Sequence, residues 1–490
     1  MKQLFIATIT LLSFTIQAQN NTLLDRGFWK KNPNIEAVEA EIKKGNNPTE
    51  LNTNAFDPTV LAINEQASNE VIKHLLAIKG NDVNKLTHDG RTYIFWAAYR
   101  GNIEIMEHLL KNGAKTNIFD DKGYSALNFA ASSGQANTKV YDLLISKGID
   151  PKKDLDYNGA NALLLVAPHD KDFTLINYFI SKGLKLDSTD KEGNTAFNYA
   201  ARIGNIATLK ALIAKGIKFN DNAMIIASQG ARGTSNTLEL YKYLETLKIN
   251  PNAIGKNGEN VLHNIARKEK QADIIKHFLS KGVDVNKEDN DGNTPFMNAV
   301  SSNGEIQVIN MLLEQVKDIN HKNKKGVTAL ALAVKGNSPE VVALLLDKGA
   351  DVKVVDGNGE NLSAYLIQSY NPQKVEIFES KIKILSDKDY KIDAPQKNGN
   401  TLYHLAVAKN DLSLLKFLNQ FKLDINKQNQ EGMTPLHKAG LIAKDDTILK
   451  QLLASGAKKK VKTDLGETAY DLASENEYLT KNKVSIDFLK

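Results

Sequence analysis

Apolar positions along this chain fall into two alternating kinds of cluster. One is short and rich in alanine, as in Asn198-Tyr199-Ala200-Ala201. The other is a helical stripe such as Ile103, Ile105, Met106, Leu109 and Leu110, with the spacing that lays apolar side chains along one face of a helix. A polar turn separates the first kind from the second, often Gly-Asn as at Gly101-Asn102 and Gly204-Asn205. The second kind ends in Lys-Gly or Asn-Gly, as at Lys147-Gly148, Lys215-Gly216 and Lys348-Gly349. A tail such as Val283-Asp284-Val285-Asn286 leads onward. The predicted unit is therefore helix, turn, helix, loop. Glycines in one recurring context mark its period: Gly90, Gly123, Gly159, Gly193, Gly258, Gly292, Gly326, Gly359, Gly399, Gly432 and Gly466. Successive spacings are 33, 36, 34, 65, 34, 34, 33, 40, 33 and 34 residues, and the gap of 65 holds a unit that lacks its glycine.

Each part of the unit has a physical reason. After the glycine comes x-Thr-Pro/Ala-Leu/Phe, as in Gly292-Asn293-Thr294-Pro295-Phe296 and Gly432-Met433-Thr434-Pro435-Leu436. The Thr hydroxyl caps the first helix, and Pro fits the first turn, where no backbone donor is needed. Alanines keep that helix thin, so that neighbouring units can approach. Glycine after the second helix supplies a left-handed cap. One such unit cannot bury its own apolar face, and stacking on the next unit does so.

This pattern resembles the ankyrin repeat, whose core reads Gly-x-Thr-Pro-Leu-His. Leu436-His437 matches it best, followed by Leu262-His263 and Tyr403-His404. The resemblance covers roughly residues 27–490. It implies an all-α solenoid of about thirteen helix-turn-helix units with capping units at the ends. We divide the chain into residues 1–18, 19–56 (an N-terminal capping half-repeat), 57–463 (the array) and 464–490 (a C-terminal capping repeat). Asn34 to Gly45 reads as a lone second helix. The unit without its glycine spans 221–253, with helices over Asn222–Ser228 and Thr237–Leu247 and a long loop from Gln229 to Asn236. The unit from Gly359 to Gln396 is enlarged. The tail from Tyr478 to Lys490 is expected to form a polar capping helix.

Composition narrows the picture. The 490 residues are 42% hydrophobic and 24% charged, which suits a folded soluble chain. A single core rarely outgrows about 250–300 residues, so an elongated array fits the length. The net charge of +6 comes from 63 Lys plus Arg against 57 Asp plus Glu. Both signs are interspersed, which argues weakly for an acidic partner and not for nucleic acid. The opening MKQLFIATITLLSFTIQAQN carries Lys2, an apolar run from Leu4 to Ile16, and the small Ala18. This has the form of a secretory signal peptide, cleaved near Ala18. The run is shorter than the ~20 residues that span a bilayer, and no later segment is apolar enough to do so. Export follows as the expectation, with the periplasm ahead of secretion. The chain has no cysteine, which excludes disulfides, thiolate metal sites and cysteine nucleophiles.

Candidate chemistry is sparse. None of the nine histidines sits in a His-Glu-x-x-His motif. His263, His404 and His437 occupy the repeat's histidine slot, where the resemblance implies a hydrogen bond that holds a turn. His74, His108 and His277 share a place in the second helix; a two-histidine metal site there competes with a solvated helix face, and we favour the latter. Gly230-Ala231-Arg232-Gly233 follows no strand and lacks the Gly-Lys-Ser/Thr ending of a phosphate loop. Asp120-Asp121 and Asp445-Asp446 sit in turns, where Asp shapes the loop. Trp29 and Trp96 are isolated, and Trp96 is expected in the core. No cofactor, metal or catalytic residue is expected.

Ankyrin proteins bind through their turn tips and the concave face of their inner helices. By that resemblance the contacts expected here are Arg91, Tyr124, Lys324 and Lys325 at tips, and Tyr99, Arg100, Arg202, Arg267, Lys268, Lys335 and Lys409 at inner positions. The inner set is basic, which points to an acidic protein or peptide; the competing reading is a merely solvated surface. The favoured function is a non-catalytic binding scaffold in the bacterial envelope. A secreted effector that binds a host protein is the alternative, and an enzyme with its site in 359–396 or 229–236 is the third.

Overall fold

The computed structural model describes residues 21–231 and 233–490. The expected signal segment, 1–18, lies outside the described residues. Among those described there is no β-strand, only an isolated bridge between Val355 and Asn361. Thirteen helix pairs follow one another, from Pro58–Asn64 with Asn69–Ala77 to Ala469–Glu475 with Glu477–Lys481. The chain divides into two compact units, one up to Ala223 and one from Met224. In each, inner helix packs on inner helix, as do Tyr93–Arg100 and Ala126–Ser132 in the first unit and Pro435–Ile442 and Ala469–Glu475 in the second.

The caps form as the sequence demands. Thr294, Thr328 and Thr434 each accept a backbone N–H three residues on, and Pro295 and Pro435 open their helices. Inner helices are almost wholly buried: Ala329, Leu330, Ala331, Ala333 and Val334 are all core. Fully burying a leucine of this kind contributes about 1.5–3 kcal/mol. Small residues allow close approach. A Cβ built on Gly440, inside helix Pro435–Ile442, would stand 2.9 Å from the Ala469 carbonyl oxygen.

The tips are stitched by backbone. Lys324 N–H donates to Asp291 O at 2.9 Å, and Gly357 N–H donates to Lys325 O at 2.8 Å. This ladder explains the marker glycines better than the turn alone does. Gly326 has a φ of +75°, and a Cβ there would stand 2.5 Å from the Gly357 nitrogen. Asparagines of the loop tails add a second seam. Asn320 donates from Nδ2 to Gly349 O and accepts from Asp351 N–H, and Asn426 does the same with Gly456 and Lys458.

Both ends differ from expectation. The lone helix Ile35–Lys43 is present, but a short helix, Arg26–Lys30, precedes it. Trp29 on that helix is fully buried and donates from Nε1 to Leu23 O at 2.8 Å; it anchors the N-terminal cap rather than standing isolated. At the other end the tail is not a polar helix. It forms helix Glu477–Lys481 and a 3₁₀ turn, Asp487–Leu489, and it buries Leu479 and Leu489.

Candidate functional site

Each inner helix ends in carbonyls that no helical N–H can reach. In this chain the following repeat often supplies the donor. Gln135 Nε2 donates to Tyr99 O, Asn303 Nδ2 to Ala266 O and Lys268 O, and Asn337 Nδ2 to Val300 O and Asn303 O. Lysines do the same work with a charge, which the negative end of a helix favours. Lys268 Nζ donates to Ser228 O and Gln229 O at 3.0 and 2.7 Å. Lys409 Nζ donates to Ile367 O and Tyr370 O at 3.0 and 3.1 Å. Burial also lowers the Lys268 pKa. Two expected contact residues are thus committed to the fold, and the sequence hid this because their acceptors lie about 40 residues away.

Arg91 needs a firmer correction. It is only 5% exposed, not an open tip. Its Nε and one terminal nitrogen each lie 2.8 Å from Asp120 Oδ2. The guanidinium also sits 4.1 Å from the Phe129 ring centroid and 5.4 Å from that of Trp96. Arg91 is a buried clamp between consecutive repeats. It is also the start of a continuous aromatic run. Trp96 meets Phe129 edge-on, Tyr99 lies 5.6 Å from Phe129, and Arg100 lies 4.9 Å above Tyr99. Phe56 and His88 extend the run on the other side of Trp96. Arg100 differs from Arg91 in one respect: its Nε is buried with no hydrogen-bond partner.

Tyr124 is half-buried, and burial together with Asp156 pushes its hydroxyl pKa up, while Arg202 pulls the other way. Tyr124 and Arg202 therefore share one electrostatic neighbourhood, with Arg202 exposed. In the second unit Arg267 and Lys335 are exposed at inner positions, and Lys324 and Lys325 are exposed at tips. One feature escaped the sequence reading. Leu86, Phe119 and Leu155, each four residues before a marker glycine, are 44–60% exposed in the first unit. Their shared register was the available signal.

The histidines behave as their slot implies. His437 Nδ1 accepts from Thr434 N–H and Nε2 faces the Val461 and Glu467 carbonyls. His404 does the same with Thr401 and Met433, and burial lowers its pKa to about 4. His74 Nε2 contacts Glu39 and His277 Nε2 contacts Glu245. Among the described residues no three His, Asp or Glu are grouped to hold a metal ion, and no helix is long and apolar enough to cross a membrane.

The family described as ankyrin repeats (3 copies) matches residues 59–154, 137–223, 224–323, 262–356, 301–385, 375–463 and 403–484. A human relative, transient receptor potential cation channel subfamily A member 1, is 24% identical over 423 residues, 84% of this chain and 31% of that protein. The phosphocholine transferase AnkX of Legionella pneumophila is 30% identical over 131 residues, 24% of this chain and 13% of that one. The solved ankyrin repeat domain of human ASB11 is 21% identical, covers 45% of this chain and 96% of that one, and has a TM-score of 0.37. The chain spans under a third of the two full-length relatives. Ankyrin arrays are protein-interaction scaffolds, and this chain belongs to the ankyrin repeat family.

Proposed function

We propose that this chain is a non-catalytic scaffold of the bacterial envelope that holds an acidic protein partner on its inner helix ends. The observation that carries the reading is the aromatic and arginine run in the first unit. Tyr99 and Phe129 are partly exposed there, and Arg100 ends the run with no acceptor for its Nε. Tyr, Trp and Arg are the residues that most often dominate interface energies. The exposed row of Leu86, Phe119 and Leu155 adds apolar surface suited to a protein rather than a small ligand. Lys324, Lys325 and Lys335 in the second unit remain candidate contacts. Arg91, Lys268 and Lys409 act behind them as fold-stitching residues.

The absence of a nucleophile–base set in 359–396, which holds no histidine, supports the non-catalytic reading. The apolar start of the chain supports export. The test is affinity capture from an envelope fraction with the wild type and with Arg100→Glu/Arg202→Glu/Arg267→Glu, followed by mass spectrometry. Loss of one acidic protein with unchanged circular dichroism is the expected outcome. An unchanged capture profile refutes binding at the inner helix ends, and a wild type found only in the cytoplasm on cell fractionation refutes the location.

A further inference from the structure

The enlarged repeat does something its neighbours do not. Its outer helix, Val375–Ser386, runs twelve residues where Pro339–Asp347 runs nine. The loop before it, from Ser369 to Lys374, contains Asn371, but that side chain accepts from Gln373 N–H within the loop instead of donating to the preceding helix end as Asn303 and Asn337 do. Lys381, in the middle of the longer helix, takes over that task and donates from Nζ to Val334 O at 2.9 Å. An asparagine would satisfy the site neutrally. Lysine instead brings a full charge and two further donors into a place only 2% exposed. Its one hydrogen bond is to a carbonyl, and no carboxylate pairs with it.

Lys381 lines a cavity of about 410 Å³ within the second unit. Lys335 and Lys374 also line it, against Glu269 as the one acidic residue. Lys374 is the N-cap of the twelve-residue helix and makes no side-chain capping bond, so first-turn N–H groups there lack a side-chain acceptor. Three cations to one anion, a buried lysine whose ammonium has a single carbonyl partner, and an uncapped helix start line the same space. Lys335 and Lys374 are exposed, so the burial cost falls on the charge of Lys381, and an anion in the cavity would offset it. We propose that this cavity binds a small oxyanion, a carboxylate or phosphate group, with Lys381 as its buried contact and Lys335 and Lys374 at the mouth.

Lys381 fits the role in its unliganded state as well. Burial lowers its pKa to about 8, and a bound anion would raise it again. Lys335 is shared with the proposed partner contacts, whereas Lys381 and Lys374 are not, and the site is tested on purified protein alone. Citrate, inorganic phosphate and a hexaglutamate peptide are titrated by calorimetry and thermal shift at neutral pH, against chloride at matched ionic strength. Citrate or phosphate is expected to bind and to shield Lys381 from acylating reagent. Lys381→Met should weaken that binding by at least about tenfold, the worth of one charged hydrogen bond. Should Lys381→Met fail to fold, Lys335→Glu/Lys374→Glu at the exposed mouth should produce a loss of similar size. If neither citrate nor phosphate binds beyond the chloride control, or if the variants bind as the wild type does, the proposal is overturned. Binding of hexaglutamate alone also overturns it, and would assign the cavity to the partner-binding face.

Discussion

The histidine slot makes acid stability a sharp test of this fold. His404 is fully buried. Its Nδ1 accepts from Thr401 N–H at 3.1 Å, and its Nε2 lies 2.9 Å from Met433 O. The ring therefore closes the capping box as a neutral donor–acceptor. Protonation would turn Nδ1 into a donor facing an N–H, in a site that already disfavours charge. Burial is the main cause of its lowered pKa, about 4 against an ordinary 6.5. A histidine with a depressed folded pKa binds fewer protons folded than unfolded between those values. Its neutral contacts are thus fully available above pH 6.5, and stability falls as pH drops from there towards 4. At about 1.4 kcal/mol per pH unit the loss is about 2 kcal/mol by pH 5 and about 3 kcal/mol at pH 4. His263 and His437 are lowered in the same direction by the same cause.

The first unit contains the control. Asn198 occupies the same slot, with Oδ1 facing Thr195 and Nδ2 donating to Asn220, and it does not titrate. His404→Asn should therefore remove its share of the acid sensitivity. The assay is urea unfolding at pH 7.5, 6 and 5, with hydrogen exchange read over 401–433 because repeat arrays open locally. The variant should lose about 2 kcal/mol less than the wild type between pH 7.5 and 5. Parallel losses, or a His404 ring that titrates near 6.5 by NMR, would refute the reasoning.

Other predictions separate residues that stitch from residues that bind. Arg91→Ala strands Asp120, which is buried, and should cost about 3 kcal/mol in urea unfolding, whereas Arg100→Ala should cost under about 1 kcal/mol. Gly326→Ala drives a Cβ into the Gly357 nitrogen at positive φ; the expected loss is about 1–3 kcal/mol, seen first as faster exchange of the Gly357 amide. Asp154 is buried against Ser125, and burial raises its pKa to about 6. The protonated form is therefore the one the fold accepts, and the stability it gives is full below pH 3.8 and lost as pH rises through 6. Asp154→Asn should be more stable than the wild type at pH 7.5 by up to about 3 kcal/mol, an advantage that vanishes by pH 4; an unchanged difference across that range would sink the assignment.

The repeat was legible because its signals are local. Gly326, Thr328 and the following alanines lie within six residues of one another and fix a tip, a cap and a thin helix together. The same holds for Thr434 and His437. The N-terminal helix Arg26–Lys30 was missed although Asp25 caps it, because five residues carry too little periodicity to stand out. The site was legible only in part, for a reason of distance. A cation on an inner helix reads alike whether its head faces solvent or an acceptor in another repeat. Lys268 lies 39 and 40 residues from its acceptors, and Lys409 39 and 42 from its own. Arg91 is 29 residues from Asp120. Only the stacking brings these partners together, so sequence position alone does not separate a cation that stitches repeats from one that faces solvent.

This division of labour bears on how the array can bind anything at all. A stack of thin layers leaves carbonyl groups at the ends of its inner helices. Were they all open, the inner-helix ends would be rich in acceptors, which disfavour an anionic partner of the kind proposed above. By answering them from the next repeat, Gln135, Asn303, Asn337, Lys268 and Lys409 neutralise those acceptors. Lys381 exceeds that task, since one carbonyl answers only one of its three donors. The longer helix that carries Lys381 thus does more than stitch one repeat to the next, which is why the proposed anion site is placed there.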